Sequence, residues 1–593
     1  MNTETELNAR DTWNDRVEKS CVLHWDGRLD NRTDLLLLLA DLLRDDNSNA
    51  AIALATYERW GTHGFVHLLG DWSIVIQDQA NGATVLASDF AGVRPLYYSV
   101  QRGRVFWSSH LQSVVDATGI SELDEQYIGA FLLYGGCPNR TPYRGICSVP
   151  AGHAVCVSST GTKISRFWNL PIRDEVHYRN QHRYEEHLRA LFREAVSVRL
   201  QTEAPVLAEL SGGFDSSSVV SMANHLIRSC AVPAKSLTSL SYVWRDSLDE
   251  PFIREMESFC GIEGVHISTH EVPVISETQV GNAFPEILQP LRKSVASAAS
   301  RLGAEVLLPG MNGDLMMGNW FDDSLQVTGS LRRFRFARAC KEALAWSKIL
   351  RPPIYRVLWQ AVRAALPARF TPCAIYGATD GSYALRSTET SLDPGFIYRL
   401  GLSEAGNFFS DAWMQAPPER RKYFRPLSMM LELRILQAPE LWQHLDYTHP
   451  FAHRPLVEFL MTVPVDLLCR PGEPRRLMRC ALSDLWALKL QRRRSKALFN
   501  FPFQEALRPL TLLLIKAGDL QLVERGFVDR ASLLPRLERH FHGLDCNEAQ
   551  LQHIILLEFW LRNRAENRIG GKFCNMSKQP IAVKGGKSNA DKV

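Results

Sequence analysis

Apolar and polar positions alternate in two different ways along the chain. In its first third, residues 22–29 read as a strand running into an Asp26-Gly27 turn, and residues 34–44 and 51–60 carry apolar side chains at helical spacing. Short apolar runs at 72–77, 84–88, 95–100 and 105–108 follow, separated by turns at Asn81-Gly82, Gly92 and Arg102-Gly103, which is an antiparallel β pattern. Residues 111–117 and 125–133 add helices, so an α+β layered sandwich is expected here. From residue 184 the rhythm changes. A helix over 184–200 places Leu188, Leu191, Ala195 and Val198 on one face, and apolar strands at 205–210, 236–244, 264–268 and 306–308 alternate with helices at 217–228 and 253–259. That alternation predicts an α/β doubly wound parallel sheet with its ligand loops at the strands' carboxyl ends. Residues 331–370 read as a helical addition split by Pro352-Pro353, rich in Arg and Lys, with Glu342 as its only acid. Such a run is either a solvated face or a surface for an acidic peptide, a partner protein or an anionic lipid. The expected organisation is a first domain over 1–171, a polar linker over 172–182, a second domain over 183–570 and a polar, disordered tail over 571–593.

Two turns carry candidate chemistry. The strand ending at Leu210 enters its helix through Ser211-Gly212-Gly213-Phe214-Asp215-Ser216-Ser217. Glycines let the main chain approach an anion, and the first free N–H groups of the helix point at it. Asp215 would repel a phosphate unless a cation lay between them, which implies Mg²⁺. The pattern is not Gly-x-x-x-x-Gly-Lys-Ser/Thr, so this is not the common nucleotide P-loop. The second turn, Pro309-Gly310-Met311-Asn312-Gly313-Asp314, again ends an apolar strand with glycines and one carboxylate. Its plainer reading is an aspartate bonding its own backbone.

Composition narrows the classes. With 593 residues, 45 % apolar and 22 % charged, the chain reads as globular with two or more domains. A formal net charge of +4 makes no bulk case for nucleic acid or membrane. The 12 cysteines are scattered, with no Cys-x-x-Cys pair, so reduced thiols are expected rather than zinc or redox motifs. The opening residues are polar, and no apolar run reaches the ~20 residues of a membrane span. A cytoplasmic location is expected.

The string Leu210-Ser211-Gly212-Gly213-Phe214-Asp215-Ser216-Ser217 resembles the pyrophosphate loop of the ATP pyrophosphatases, in their asparagine-synthetase branch. Gly310 and Asp314 match that family's second acidic turn, where Leu315 replaces a Glu. His444-Leu445-Asp446-Tyr447-Thr448-His449-Pro450-Phe451 is similar to the family's Glu-x-Arg-x-Pro-Phe string and puts Asp446 on its first acid. Arg492-Arg493-Arg494-Ser495-Lys496 with Phe499 resembles its Arg-x-Lys-x-x-Phe. Residues 20–170 resemble the glutamine-amidotransferase domain that precedes the synthetase, with Asp26-Gly27 on its Asn-Gly turn, then Gly70 to Ser73, Ser88 to Tyr98 and Gly135 to His153. Two positions depart from it. Asn2 stands where the family has its nucleophilic Cys, and Asp26 replaces the oxyanion-hole Asn. The resemblance therefore implies an incomplete sandwich, lacking the first strand and glutaminase activity.

What the resemblance implies for function is amide ligation. The cofactors are ATP and Mg²⁺. Leu210, Ser211, Gly212, Gly213, Asp215, Ser216, Ser217 and Gly310 bind ATP and its pyrophosphate, Asp215 and Asp314 hold the metal, Lys496 contacts the phosphates, and Asp446 accepts a proton from the amine. Without a glutaminase the amine comes from the acceptor, and intramolecular attack has a large proximity advantage. The chain is most similar to the lasso-peptide cyclases, which join a side-chain carboxylate to the peptide's own N-terminal amine. The implied partners are a ribosomal precursor peptide, a leader peptidase and a leader-recognition protein, with no nucleic acid and no membrane span. Asparagine synthetase, β-lactam synthetase and a non-catalytic nucleotide-binding scaffold are the alternatives.

Overall fold

Period-two burial builds the first unit of this computed structural model. Its structure is described for residues 14–569 except 19–20, 44–45, 173–174, 273–283, 285–288, 367–389, 403–408, 410–411, 443, 494–499 and 545–547. The strands are β1 (Asn14–Glu18), β2 (Cys21–Leu29), β3 (Gly70–Asp78), β4 (Ala83–Ser88), β5 (Tyr97–Gln101), β6 (Arg104–Ser108), β7 (Cys147–Ser148), β8 (His153–Ser158) and β9 (Gly161–Arg166). They form a six-stranded antiparallel sheet ordered β1-β2-β3-β4-β8-β9 and a three-stranded sheet ordered β6-β5-β7. Along β3 the side chains take turns. Trp72, Ile74 and Ile76 face helices α1 (Arg32–Leu38) and α2 (Asn49–Trp60), while Val75 packs toward Leu96, Tyr98 and Trp107 of the other sheet. Helices α3 (Leu111–Thr118) and α4 (Glu125–Tyr134) follow, each ended by a left-handed glycine, Gly119 and Gly135.

Two expectations are corrected here. A strand does precede the Asp26 strand: β1 pairs with β2 from Asn14↔Trp25 to Glu18↔Cys21. Its sequence, Asn-Asp-Arg-Val-Glu, is polar and carries no apolar alternation to betray it. The helix expected to run to Arg44 stops at Leu38, with Leu39 as its C-cap.

The second unit is organised by five parallel strands. After α5 (Gln181–Ser197) come β10 (Val206–Glu209), α6 (Phe214–Arg228), β11 (Leu237–Val243), α7 (Glu250–Cys260), β12 (Gly264–Ser268), β13 (Val306–Leu308) and β14 (Asp446–Tyr447). The order is β12-β11-β10-β13-β14. Both faces are covered: Val206, Ala208, Val306 and Leu308 belong to one core cluster, and Leu207, Leu240, Ile267 and Leu307 to the other. The chain leaves β10 on one side toward β11 and reaches β13 on the other, so the crevice between the ends of β10 and β13 is the switch point of the sheet. The basic addition folds as α8 (Gln326–Arg332), α9 (Phe336–Leu350) and α10 (Ile354–Ala365), with Pro353 at the N-cap of α10. The expected tail over 571–593 lies outside the described residues.

Buried behind β14, His449 donates from Nε2 to the Leu436 carbonyl at 2.8 Å, and its Nδ1 has no partner. Burial lowers its pKa from 6.5 to about 4, and burial lowers that of His553 to about 4 as well. Between those values the unfolded chain binds more protons than the folded one. Stability is therefore full above pH 6.5 and is lost as pH falls toward 4, by about 3 kcal/mol for one such group. His449→Gln keeps an N–H for Leu436 and does not titrate. Thermal melts across this window should fall less steeply for the variant, and a parallel slope would remove His449 from the account.

Candidate active site

The two acidic turns meet at the switch point. Gly212 takes a left-handed φ of +67°, and Gly213 caps α6, placing Asp215 and Ser216 in its first turn. Ser216 Oγ ties the turn together, accepting from the Ser211 N–H at 3.1 Å and lying 3.0 Å from Ser211 Oγ. The Leu210 carbonyl accepts from Ser241 Oγ at 2.7 Å, which anchors the loop to β11. The second turn lies against the first. A Cβ on Gly310 would come 2.5 Å from the Ser216 nitrogen, and one on Gly313 would come 2.3 Å from Asp215 Oδ1. Glycine is required at both positions by contact, not by conformation.

A buried arginine joins the two carboxylates. Arg475 donates from Nη1 to Asp215 and from Nη2 to Asp314. Burial pulls its guanidinium pKa down, but Asp215 and Asp314 outweigh that and leave it raised. Asp215 is buried, whereas Asp314 is 51 % exposed and also accepts from Asn319 at 2.9 Å. Two more arginines support the first turn. Arg493 donates to the Gly212 carbonyl at 2.7 Å, pairs with Asp249 and stacks 4.0 Å over Phe252, while Arg479 stacks 4.2 Å over Phe214.

The donor set fits a hard divalent cation. Mg²⁺ is commonly held by one or two carboxylates together with substrate phosphates. Here two carboxylates from separate loops converge, and a guanidinium sits between them as the cation would. Polar atoms are also left over. Both ends of the Asn312 side-chain amide and Ser217 Oγ are buried without a hydrogen-bond partner among the described residues. Buried polar groups are otherwise nearly always satisfied, so these suit a polar ligand.

Of the residues singled out in the sequence, Leu210, Ser211, Gly212, Gly213, Asp215, Ser216, Ser217, Gly310 and Asp314 are brought together. Lys496 lies outside the described residues. Asp446 is corrected. It begins β14, in register with Val306 at the start of β13, whereas the ligand turns leave the other ends of the strands. Its carboxylate faces the first unit, 2.5 Å from Arg94 and 3.6 Å from Arg28. Held by two guanidinium groups, it belongs to the junction between the units. Arg475, Arg493 and Asn312 were missed. Nothing marks Arg475 among the chain's other basic residues, while Arg493 stands in the basic string that holds Lys496 and Asn312 sits between two site glycines in the turn itself.

Comparison with known proteins agrees with this geometry. Residues 187–562 match the Asparagine synthase family, and residues 17–168 match a Glutamine amidotransferase domain. The glutamine-hydrolysing asparagine synthetase 3 of Bacillus subtilis (strain 168) is 24 % identical over 474 residues, covering 74 % of this chain and 68 % of the relative. Amidase chry2 of Gibberella zeae is 25 % identical over 294 residues, covering 46 % of this chain and 43 % of the relative. A glutamine phosphoribosylpyrophosphate amidotransferase structure from B. subtilis aligns with 50 % of this chain and 72 % of its own at 14 % identity, with a TM-score of 0.21. The match over residues 187–562 and the asparagine synthetase relatives make this chain an ATP-dependent carbon–nitrogen ligase that forms AMP and pyrophosphate. The chain belongs to the asparagine synthase family, with an amidotransferase domain ahead of the synthetase.

Removing the bridging cation should expose the metal site. Arg475→Met leaves Asp215 buried beside a second carboxylate, a loss of about 3–5 kcal/mol for a broken buried pair. Its thermal midpoint should drop, and Mg²⁺ without nucleotide should recover part of the loss while leaving the parent protein unmoved. Equal response of both proteins to Mg²⁺ would show that these carboxylates do not form the site.

Proposed function

We propose that this enzyme adenylates a side-chain carboxylate of a ribosomally made precursor peptide and closes it onto the peptide's N-terminal amine, as a lasso-peptide cyclase. Convergence of Asp215 and Asp314 on one cation position is the observation that carries ATP cleavage. The substrate carboxylate attacks the α-phosphorus, the bond to the β-phosphate oxygen breaks, and pyrophosphate leaves. Mg²⁺ supplies charge neutralisation for that leaving group. Around it, the backbone N–H groups at Gly213 to Ser216 and the N-terminus of α6 face the phosphates. Arg475, released from one or both carboxylates, adds a fixed positive charge. Lys496 is proposed as a further phosphate contact.

The source of the amine separates this reading from its relatives. Asp26 stands at the position of the oxyanion-hole Asn, is buried, and lends its charge to Arg94. A carboxylate there opposes a developing oxyanion, so ammonia from glutamine is disfavoured and an amine on the acceptor itself is favoured. A leader peptidase and a leader-recognition protein would supply the free amine. The names of the relatives favour asparagine formation as the second reading.

Exchange of radiolabelled pyrophosphate into ATP distinguishes them. Exchange should depend on the precursor peptide and not on aspartate, and Asp215→Ala should lower it by about a thousandfold, the scale of losing a main charge-stabilising group. Aspartate-dependent exchange would replace the cyclase with an asparagine-forming enzyme, and exchange untouched in Asp215→Ala would displace the site itself.

A further inference from the structure

Helix α10 carries a stripe that the other described residues leave uncovered. Tyr355, Trp359, Val362 and the C-cap Leu366 recur at i, i+4, i+7 and i+11 and are 72, 60, 43 and 46 % exposed, whereas Val357 and Ala361 are buried. Exposed apolar side chains are ordinary when single. Four in a row on one helix mark a contact surface.

The charge around the stripe has one sign. Between Ala343 and Leu366 the chain has Lys348, Arg351, Arg356 and Arg363 and no acid. None of these four forms an ion pair among the described residues, and Arg363 stacks on the Trp359 ring at 5.9 Å. Earlier arginines of the same addition are already engaged, Arg332 with Glu419, Arg333 with Glu175 and Arg338 with Glu342 and Asp466. Arg335 and Lys341 also form no ion pair among the described residues, so four of the six unpaired cations of the addition lie in the stretch that carries the stripe. The left-handed Arg351 turns α9 back into α10, which brings Lys348 and the 52 % exposed Ile349 to the Tyr355 end of the helix.

We propose that this face of α10 rests on an anionic phospholipid surface. An amphipathic helix with Trp, Tyr and aliphatic side chains along one stripe and arginines at its flanks is built to lie in the headgroup layer. A second copy of the chain would oppose cations with cations, so self-association through this face is disfavoured. No helix among the described residues is long and apolar enough to cross a membrane, and the contact is peripheral. The assignment stands apart from the choice of acceptor in the ligase reaction.

Co-sedimentation of the full chain with vesicles tests it. Vesicles of phosphatidylcholine with phosphatidylglycerol should bind, phosphatidylcholine alone should not, and high salt should release the protein. Tyr355→Ser with Trp359→Ser, and separately Arg356→Glu with Arg363→Glu, should each weaken binding by about tenfold or more. All four positions avoid the buried face of α10, so the thermal midpoint should hold. Absence of binding to the anionic vesicles, or binding that survives both double variants, overturns the proposal. Capture of a labelled acidic amphipathic peptide without vesicle binding, lost in the same variants, would assign the face to a protein partner instead and equally overturn it.

Discussion

The candidate site rests on a distance that side chains would forbid. Gly313 and Gly310 allow the turn after β13 to lie directly on the first turn of α6, and any Cβ there would collide with Asp215 or with the Ser216 backbone. From that contact everything else in the site follows. Two loops that leave neighbouring parallel strands are pressed together until one cation can touch both carboxylates. Arg475 fills that place, contacting Asp215 and Asp314 at once. A buried carboxylate facing another would otherwise be costly, so the cation is as necessary to the fold as to the phosphates.

A second charge network fixes the amidotransferase-like unit to the synthetase. Arg28 reaches Asp30 at 2.6 Å, Asp71 at 2.9 Å and Thr448 at 3.0 Å, and Arg199 approaches Asp71 at 3.5 Å from the other unit. Burial pushes the Asp71 carboxyl upward, but Arg28, Arg199 and the Thr448 hydroxyl hold it well below the usual carboxylate range. Losing either partner would strand a buried charge. Asp446 is part of this joint, paired with Arg94 and Arg28 of the first unit rather than standing beside the acidic turns.

The two acidic turns that lie together in the structure were legible in the sequence because their constraints are local. A strand, two glycines, a carboxylate and a helix are all contained within Leu210 to Ser217, and the same holds for Pro309 to Asp314. The parallel sheet followed from the same alternation, while β14, two residues long and reached only after a helical excursion, did not. β1 escaped because an edge strand can be polar throughout. Arg475 and Arg493 escaped for another reason: they reach the first turn from 260 and 281 residues away, to Asp215 and to Gly212, and no spacing rule connects such positions. Asp446 shows the opposite failure, a motif position whose surroundings are decided by Arg28 and Arg94 of the other unit.

The segment that delivers Arg475 links the site to the helical addition. Cys469 packs in the cluster formed by Val327 of α8, Trp346 of α9 and Val357 and Ala361 of α10. Six residues later the Arg475 N–H bonds to the Gly318 carbonyl at 2.9 Å, just beyond the acidic turn, and the residue adopts a φ of +56°. A non-glycine residue in that region is held there by its surroundings. The addition is therefore part of what positions the cation: its core packs one end of the segment, and the carboxylates grip the other. A change that loosened α8 to α10 would act on the paired acidic turns through Cys469 and Arg475 without touching either loop.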